Sequence, residues 1–307
     1  MRTLRWVPIL LLAACARPAF APLAPLTPAA FPFAVDSVHT DLVRPGVAHR
    51  TIWSPAGPWV IHALDVRLDQ CWTAVAVKGA PGAVGRKTTT QLMTELAATQ
   101  EVAGGVNADF FLFTPPGVPT NAHVSRGRVF TPPVAKPLFA IDSAGRPHIG
   151  VFSREGRDSL AVDDPRLATM SLRPFHPMEA VGGRGVLTRD SVITGEVDTE
   201  GAVTFSQSRH PRTAVGIAEG GKRILLVVID GRQAGYSAGT TLRETATIML
   251  ALGARESLNL DGGGSTAMVL PVRDSSGVFR PANKPSDPTG ERAVANALAV
   301  VNRCTRR

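Results

Sequence analysis

Apolar residues in this chain fall mostly in short blocks, or alternate with polar ones, and the blocks end at Gly, Pro or Asp. That is the pattern of β-strands rather than of helices. Residues 59–68, 72–78, 102–111, 137–142, 213–218, 224–230, 257–260, 266–270 and 295–301 all read this way. Two segments depart from it. Near residues 90–100 a helix is predicted, with Thr88 and Gln91 at capping-box spacing. A stronger helix is predicted after Thr241: Glu244 completes a capping box, Leu242, Ala246, Met249 and Leu250 share one face, and Gly253 stands where a C-terminal glycine belongs. No internal repeat and no interdomain linker follows residue 35. The predicted fold class is α+β: a single mixed domain, mostly β-strands with a few helices packed on the sheets, with a split near residue 180 as the one candidate boundary.

The amino terminus has a different pattern. Arg2 and Arg5 precede an apolar stretch over residues 6–14 and then Cys15, which is the layout of a secretory signal and too short to span a bilayer. Leu12-Ala13-Ala14-Cys15 resembles the bacterial lipobox, which implies cleavage before Cys15 and its acylation. Residues 1–15 are therefore expected to be a lipoprotein signal peptide. Residues 16–35, rich in Pro and Ala, are expected to form an extended tether, and residues 36–307 the folded part. The expected location is the cell envelope, lipid-anchored at the periplasmic or outer face of a bacterial membrane. In that oxidising setting Cys71 and Cys304 form one disulfide or remain two buried thiols; a disulfide would clip the carboxyl terminus to an early strand.

Composition narrows the function classes. With 307 residues and 44% apolar content the chain can fill a large core. Lys and Arg number 33 against 25 Asp and Glu, a formal charge of +8. The basic residues are scattered and not interleaved with aromatics, which argues against nucleic acid. A basic exported protein fits anionic envelope polymers or phosphorylated glycans better. A monomer is expected.

Residues 258–266 carry the densest chemical signal: Leu258-Asn259-Leu260-Asp261-Gly262-Gly263-Gly264-Ser265-Thr266. A short strand delivers a carboxylate into three glycines and two hydroxyls. Three consecutive glycines lose backbone entropy and bury no side chain. They suit either a hairpin turn or a backbone concavity for anionic oxygens. Other polar residues end strands, as cleft-lining groups often do: Asn107 and Asp109 in 102–111, and Asp230-Gly231-Arg232 after the apolar run 224–229. Arg212, within Arg209-His210-Pro211-Arg212-Thr213, offers a guanidinium fork that matches phosphate, or a surface salt bridge. Glu244 is accounted for equally by its cap.

Asn107-Ala108-Asp109-Phe110-Phe111, Pro211-Arg212-Thr213-Ala214-Val215-Gly216, Asp230-Gly231-Arg232, the helix carrying Glu244, the Asp261 glycine turn and Pro285-Ser286-Asp287 occur in that order. Together, over roughly residues 60–302, they resemble the phosphodiester glycosidase family, whose animal member removes α-linked N-acetylglucosamine from a phosphodiester. The resemblance implies hydrolysis of a sugar C1 to phosphate-oxygen bond, in a phosphorylated glycan or glycoside. On that reading Asp261 acts at the sugar carbon as nucleophile or base, and Asp230 or Glu244 supplies a second carboxylate. Arg212 with Gly262, Gly263, Gly264, Ser265 and Thr266 holds the phosphate, while Asn107 binds sugar hydroxyls or orients a catalytic group. Asp109 joins the substrate-binding set although relatives often carry glycine there. Asn121 and Ser125, in another family-like segment, join it weakly. No cofactor is implied, and a divalent metal stays open.

Two rivals remain at this stage. A metal-dependent phosphoesterase would use Asp109, Asp230 and Asp261 as ligands. A non-catalytic lipoprotein would bind phosphoglycan at the same turn without turnover. A Walker-type phosphate loop is excluded, since the turn lacks the Lys and the following helix.

Overall fold

The computed structural model describes residues 26–304 apart from 82–83, 135, 156–158, 164–173, 176 and 274–276. Cys15 and the expected signal peptide lie outside the described residues. No helix among them is long and apolar enough to cross a membrane. Strands hold 45% of the chain and helices 15%, so the fold is predominantly β rather than α+β.

Most strands sit in three antiparallel sheets. The largest has eight, in spatial order Ser37–Arg44, Val47–Ser54, Trp59–Arg67, Arg223–Ile229, Arg212–Ala218, Glu256–Asn259, Val186–Arg189 and Val192–Ile193. A five-stranded sheet runs Phe279–Pro281, Met268–Pro271, Val102–Asn107, Asn296–Asn302 and Trp72–Lys78. A seven-stranded sheet is built on Pro137–Asp142, Pro147–Glu155 and Pro177–Gly182 and includes the short pair His123–Ser125 and Arg128–Thr131.

Alternation along the strands explains how these sheets stack. In Arg223–Ile229, Ile224, Leu226 and Val228 enter one core cluster, while Leu225, Val227 and Ile229 enter another. The first cluster also takes Val106, Met268, Leu298 and Val300 from the five-stranded sheet and Phe139, Ile141 and Val181 from the seven-stranded one. The second takes Leu242, Ala246, Ile248 and Met249 from the helix Leu242–Ala251. On the far side of the five-stranded sheet, Val102, Val269, Ala297, Ala299 and Val301 pack against Leu92 and Met93 of the helix Thr89–Ala97. Two sheets thus face one another between two outer helices. With both faces covered, these strands read as near-continuous apolar runs.

Both predicted capping boxes form, Thr88 with Gln91 and Thr241 with Glu244. Gly253 follows the second helix at φ +92°, the left-handed region that favours glycine. The apolar run 102–111 ends as a strand at Asn107, because Asn107 turns its amide group to side-chain duties rather than prolonging the ladder. Cys71 and Cys304 are bonded, joining residues 233 apart. Closing so long a loop constrains the unfolded chain strongly. Replacing both cysteines with serine is expected to lower unfolding free energy by about 2–5 kcal/mol, read by denaturant titration without reductant.

Candidate active site

Asp261 follows the strand Glu256–Asn259, and its environment is built by backbone and side-chain locks. Its N–H donates to Ala108 O at 2.8 Å, which sets the start of the turn against the end of the strand Val102–Asn107. Asn107, fully buried, closes the arrangement: its Nδ2 donates to Asp261 O at 2.6 Å, and its Oδ1 accepts from Thr213 Oγ1 at 2.8 Å and from Ala267 N at 3.1 Å. One amide side chain therefore ties both ends of the glycine turn to two strands.

The turn itself is a short 3-10 segment over Gly263–Ser265. Gly262 N donates to Asp261 Oδ1, Gly263 N to Pro211 O, Ser265 N to Gly262 O and Thr266 N to Gly263 O. Four of the amides expected to cradle phosphate are thus spent inside the protein. Glycine is required for different reasons: Gly263 sits at φ +61°, and a Cβ on Gly264 would fall 2.0 Å from Asp287 Oδ1 and 2.3 Å from Arg292 Nη2. The closeness of that ion pair to the turn is the important point. Arg292 forks onto Asp287 through Nε at 2.8 Å and Nη2 at 2.9 Å, with both side chains still partly exposed.

A second guanidinium lies over Gly263, where a Cβ would meet Arg232 Nη1 at 3.1 Å. His210 orients it. His210 Nε2 lies 2.8 Å from Thr204 O and must donate to it, which leaves Nδ1 to accept from Arg232 Nη2 at 3.1 Å. Arg232 and Arg292 thus flank the turn.

Burial pushes the Asp261 carboxyl up to about 6, against the pull of the Ser265 hydroxyl, the Gly262 amide and Arg292. The residue is only half-buried, so the group is both desolvated and reachable. Asp109, beside it, is 1% exposed. Its Oδ2 accepts from Asn121 N at 3.1 Å, while Oδ1 is buried without a partner. Burial, and then the charge of Asp261, hold Asp109 well above the usual carboxylate range. Thr266 Oγ1 is also buried without a hydrogen-bond partner. Unsatisfied polar atoms near one reachable carboxylate make the turn the candidate ligand site.

Other residues expected at the site have structural duties. Arg212 is 2% exposed and donates to Thr240 O at 2.9 Å, Phe205 O at 2.6 Å and Ser208 O at 3.1 Å. Burial lowers it to about 10, which leaves it charged, and its Nε and Nη2 are taken up by these carbonyls. Glu244 accepts from Thr241 N at 3.0 Å and from Arg209 at 2.7–3.2 Å. Burial raises it, yet these bonds outweigh burial and keep it below its ordinary value, with the carboxylate engaged in the helix cap and the Arg209 pair. Asp230 is 1% exposed and accepts from Tyr236 Oη at 3.1 Å, Asn283 Nδ2 at 2.9 Å and Lys284 N at 3.1–3.2 Å. It holds the segment leading to Asp287 instead of facing the turn. Asn121 clamps Lys136 O and Pro137 O behind Asp109. Among the described residues no three His, Cys, Asp or Glu side chains converge as a metal cage, and Asp230 is not brought beside Asp109 and Asp261.

Sequence reasoning missed Arg232, Arg292 and Asp287 as site residues. Arg232 and Asp287 stand in motifs already singled out, but Arg292 carries no local signal.

The model of the phosphodiester glycosidase family matches residues 100–301. The chain belongs to that family. This phosphodiester glycosidase family member is also similar in fold to solved structures, at low sequence identity. A hypothetical protein from Synechocystis superposes with a TM-score of 0.66 at 18% identity, covering 87% of this chain and 64% of the other. The catalytic domain of zebrafish N-acetylglucosamine-1-phosphodiester alpha-N-acetylglucosaminidase, auto-inhibited by its pro-peptide, gives 0.57 at 19%, covering 86% and 81%. A protein of Burkholderia pseudomallei gives 0.56 at 18%, covering 80% and 74%. No curated protein matches the chain closely enough to count as a relative.

Arg212→Ala would strand one buried and two part-buried carbonyls. It is expected to cost roughly 3 kcal/mol of stability in denaturant titration. Activity on charged and neutral substrates should fall together, whereas a phosphate ligand would hurt the charged substrate selectively.

Proposed function

We propose that this chain hydrolyses the bond between a sugar C1 and a phosphate oxygen in a glycosyl-1-phosphodiester of an envelope or extracellular glycan. The observation that carries the reading is a reachable, desolvated carboxylate, Asp261, flanked by the two guanidinium groups of Arg232 and Arg292. The family membership supports it.

The chemistry follows from what each group can do. Breaking the C1–O bond leaves positive charge at the sugar carbon and returns the bonding pair to a phosphate monoester. That leaving group is a weak base, with a second pKa near 6, so it needs less proton donation than an ordinary glycoside. Its charge does need neutralising. Arg232 and Arg292 supply that from either side of the turn, in a low-dielectric setting where fixed charges act strongly. Asp261 acts at C1, either by attacking it to form a glycosyl ester that water then cleaves, or by taking a proton from the attacking water. Both routes deliver water's oxygen to C1 and release the phosphate monoester. Asp287 keeps the Arg292 fork in place. Burial keeps Asp109, beside Asp261, well above the usual carboxylate range. Anchoring through Cys15 would hold the enzyme at the membrane beside such polymers.

Asp261→Asn should lower kcat for a sugar-1-phosphodiester on the order of a thousandfold or more while leaving the melting temperature nearly unchanged; near-normal turnover would sink the assignment. Arg292→Ala should reduce kcat/KM for the phosphodiester by about a hundredfold, with a much smaller loss on a neutral aryl glycoside. The sign of the pH dependence follows from the raised Asp261. The carboxylate is ionised only above about pH 6, so kcat/KM should fall as pH drops through 6 rather than through the ordinary aspartate range.

A further inference from the structure

A second concavity, of about 520 Å³, lies away from the Asp261 turn, between the outer strands Ser37–Arg44 and Val47–Ser54 and the hairpin Met268–Pro271 with Phe279–Pro281. Three arginines line it, Arg44, Arg273 and Arg280, against one acid, Asp41. Asp41 already pairs with Arg273 and with His39. Arg44 pairs with Glu101, which leaves Arg280, exposed at the rim, as the lining arginine with no acidic partner among the described residues. The floor is aliphatic, with Leu270, Pro271 and Pro281. His49 closes one wall; burial first, then its neighbour His62, lowers it to about 4, so it is neutral and contributes polarity without charge. No aromatic side chain lines the concavity, so it has no stacking platform for bases. Cationic rims over an aliphatic floor suit a saccharide that carries phosphate or carboxylate groups.

The hairpin connects this concavity to the candidate active site. One end of it is held at the turn: Met268 N donates to Asn283 Oδ1 at 2.8 Å, and Asn283 Nδ2 donates to Thr266 O at 3.3 Å and to Asp230 Oδ1 at 2.9 Å. The other end, at Pro271 and Arg280, lines the concavity. From Thr266 to Pro271 the chain advances roughly 16 Å at strand rise, more than one sugar unit. The strand between them is buried, so a ligand reaching both places would pass over the surface and be longer than one sugar unit.

We propose that this concavity is an accessory subsite for an anionic stretch of the glycan, namely the repeats flanking the one that is cleaved. The proposal rests on the glycan reading above but concerns residues outside the catalytic turn. It can be tested separately by binding. The probe is a fluorescent oligomer of four glycosyl-phosphate repeats, titrated against Asp261→Asn protein by anisotropy, with a single-repeat methyl phosphodiester as its short counterpart. Arg280→Glu, and independently Arg44→Gln, should weaken oligomer binding by about tenfold at low salt and less at high salt. With Asp261 intact, both variants should turn over the single-repeat substrate at the unchanged rate. Unaltered oligomer affinity in both variants overturns the subsite. So does an equal loss in the control Arg255→Glu, which removes an exposed arginine elsewhere on the surface and would reveal only general attraction to a basic protein. Should the protein with Asp261 cleave neither probe while the arginine variants still lose oligomer binding, the hydrolase reading fails and the subsite stands.

Discussion

The architecture of the candidate site depends on the buried side chain of Asn107. A glycine-rich turn has no side chains with which to hold itself, and its conformational freedom is the cost of admitting ligands and close neighbours. Asn107 removes that freedom by accepting from Ala267 N and donating to Asp261 O, while Thr213 fixes the amide's orientation. An aspartate there could accept but not donate, and an apolar residue could do neither. Both would leave buried backbone groups unpaired at the place where the carboxylate must be aimed. The strand end at Asn107 is thus a device that positions the turn.

The same economy governs the arginines. Four of them, Arg209, Arg212, Arg232 and Arg292, lie near the turn or the segments that support it, but their burial and partners separate their roles. Arg212 is enclosed and filled by carbonyls, and Arg209 is spent on Glu244. Arg232 and Arg292 keep open faces, each steered by a single neighbour, His210 or Asp287. A guanidinium presents five donors in a rigid fork, so a partner that occupies one edge leaves the other available to an anion. Burial acts on the carboxyl groups in a parallel way. Asp109 and Asp261 are neighbours, yet one is sealed and held well above the usual carboxylate range while the other is reachable and raised to about 6.

The sandwich supplies the rigidity that these arrangements need. Strands covered on both faces, with a helix behind each outer face, keep the ends of Val102–Asn107, Arg212–Ala218 and Glu256–Asn259 in register, and the site is assembled from residues at or just beyond those ends. Functional groups carried at strand ends inherit the precision of the sheet while their loops stay free to vary.

Local pattern was enough to determine the strand-rich character, both capped helices, Gly253 as a helix terminator and the glycine turn after Asp261, because each depends on neighbours a few residues away. The family likeness was legible for the same reason, since its motifs are contiguous. Other features were decided only in three dimensions. The strands Ser37–Arg44 and Val47–Ser54 alternate weakly and gain their place by pairing at a sheet edge. Arg212 and Glu244 look like ligand and acid in sequence; only the fold shows that Arg212 donates to carbonyls of 205, 208 and 240 and that Glu244 closes a helix cap and pairs with Arg209. Arg292 stands in no motif, and it reaches the turn because the segment after Asp230 folds back over Gly264. Sequence records which groups a chain owns, whereas burial and partnership, which set charge state and availability, arise from contacts between residues far apart in the chain, 160 positions for Asn107 and Ala267.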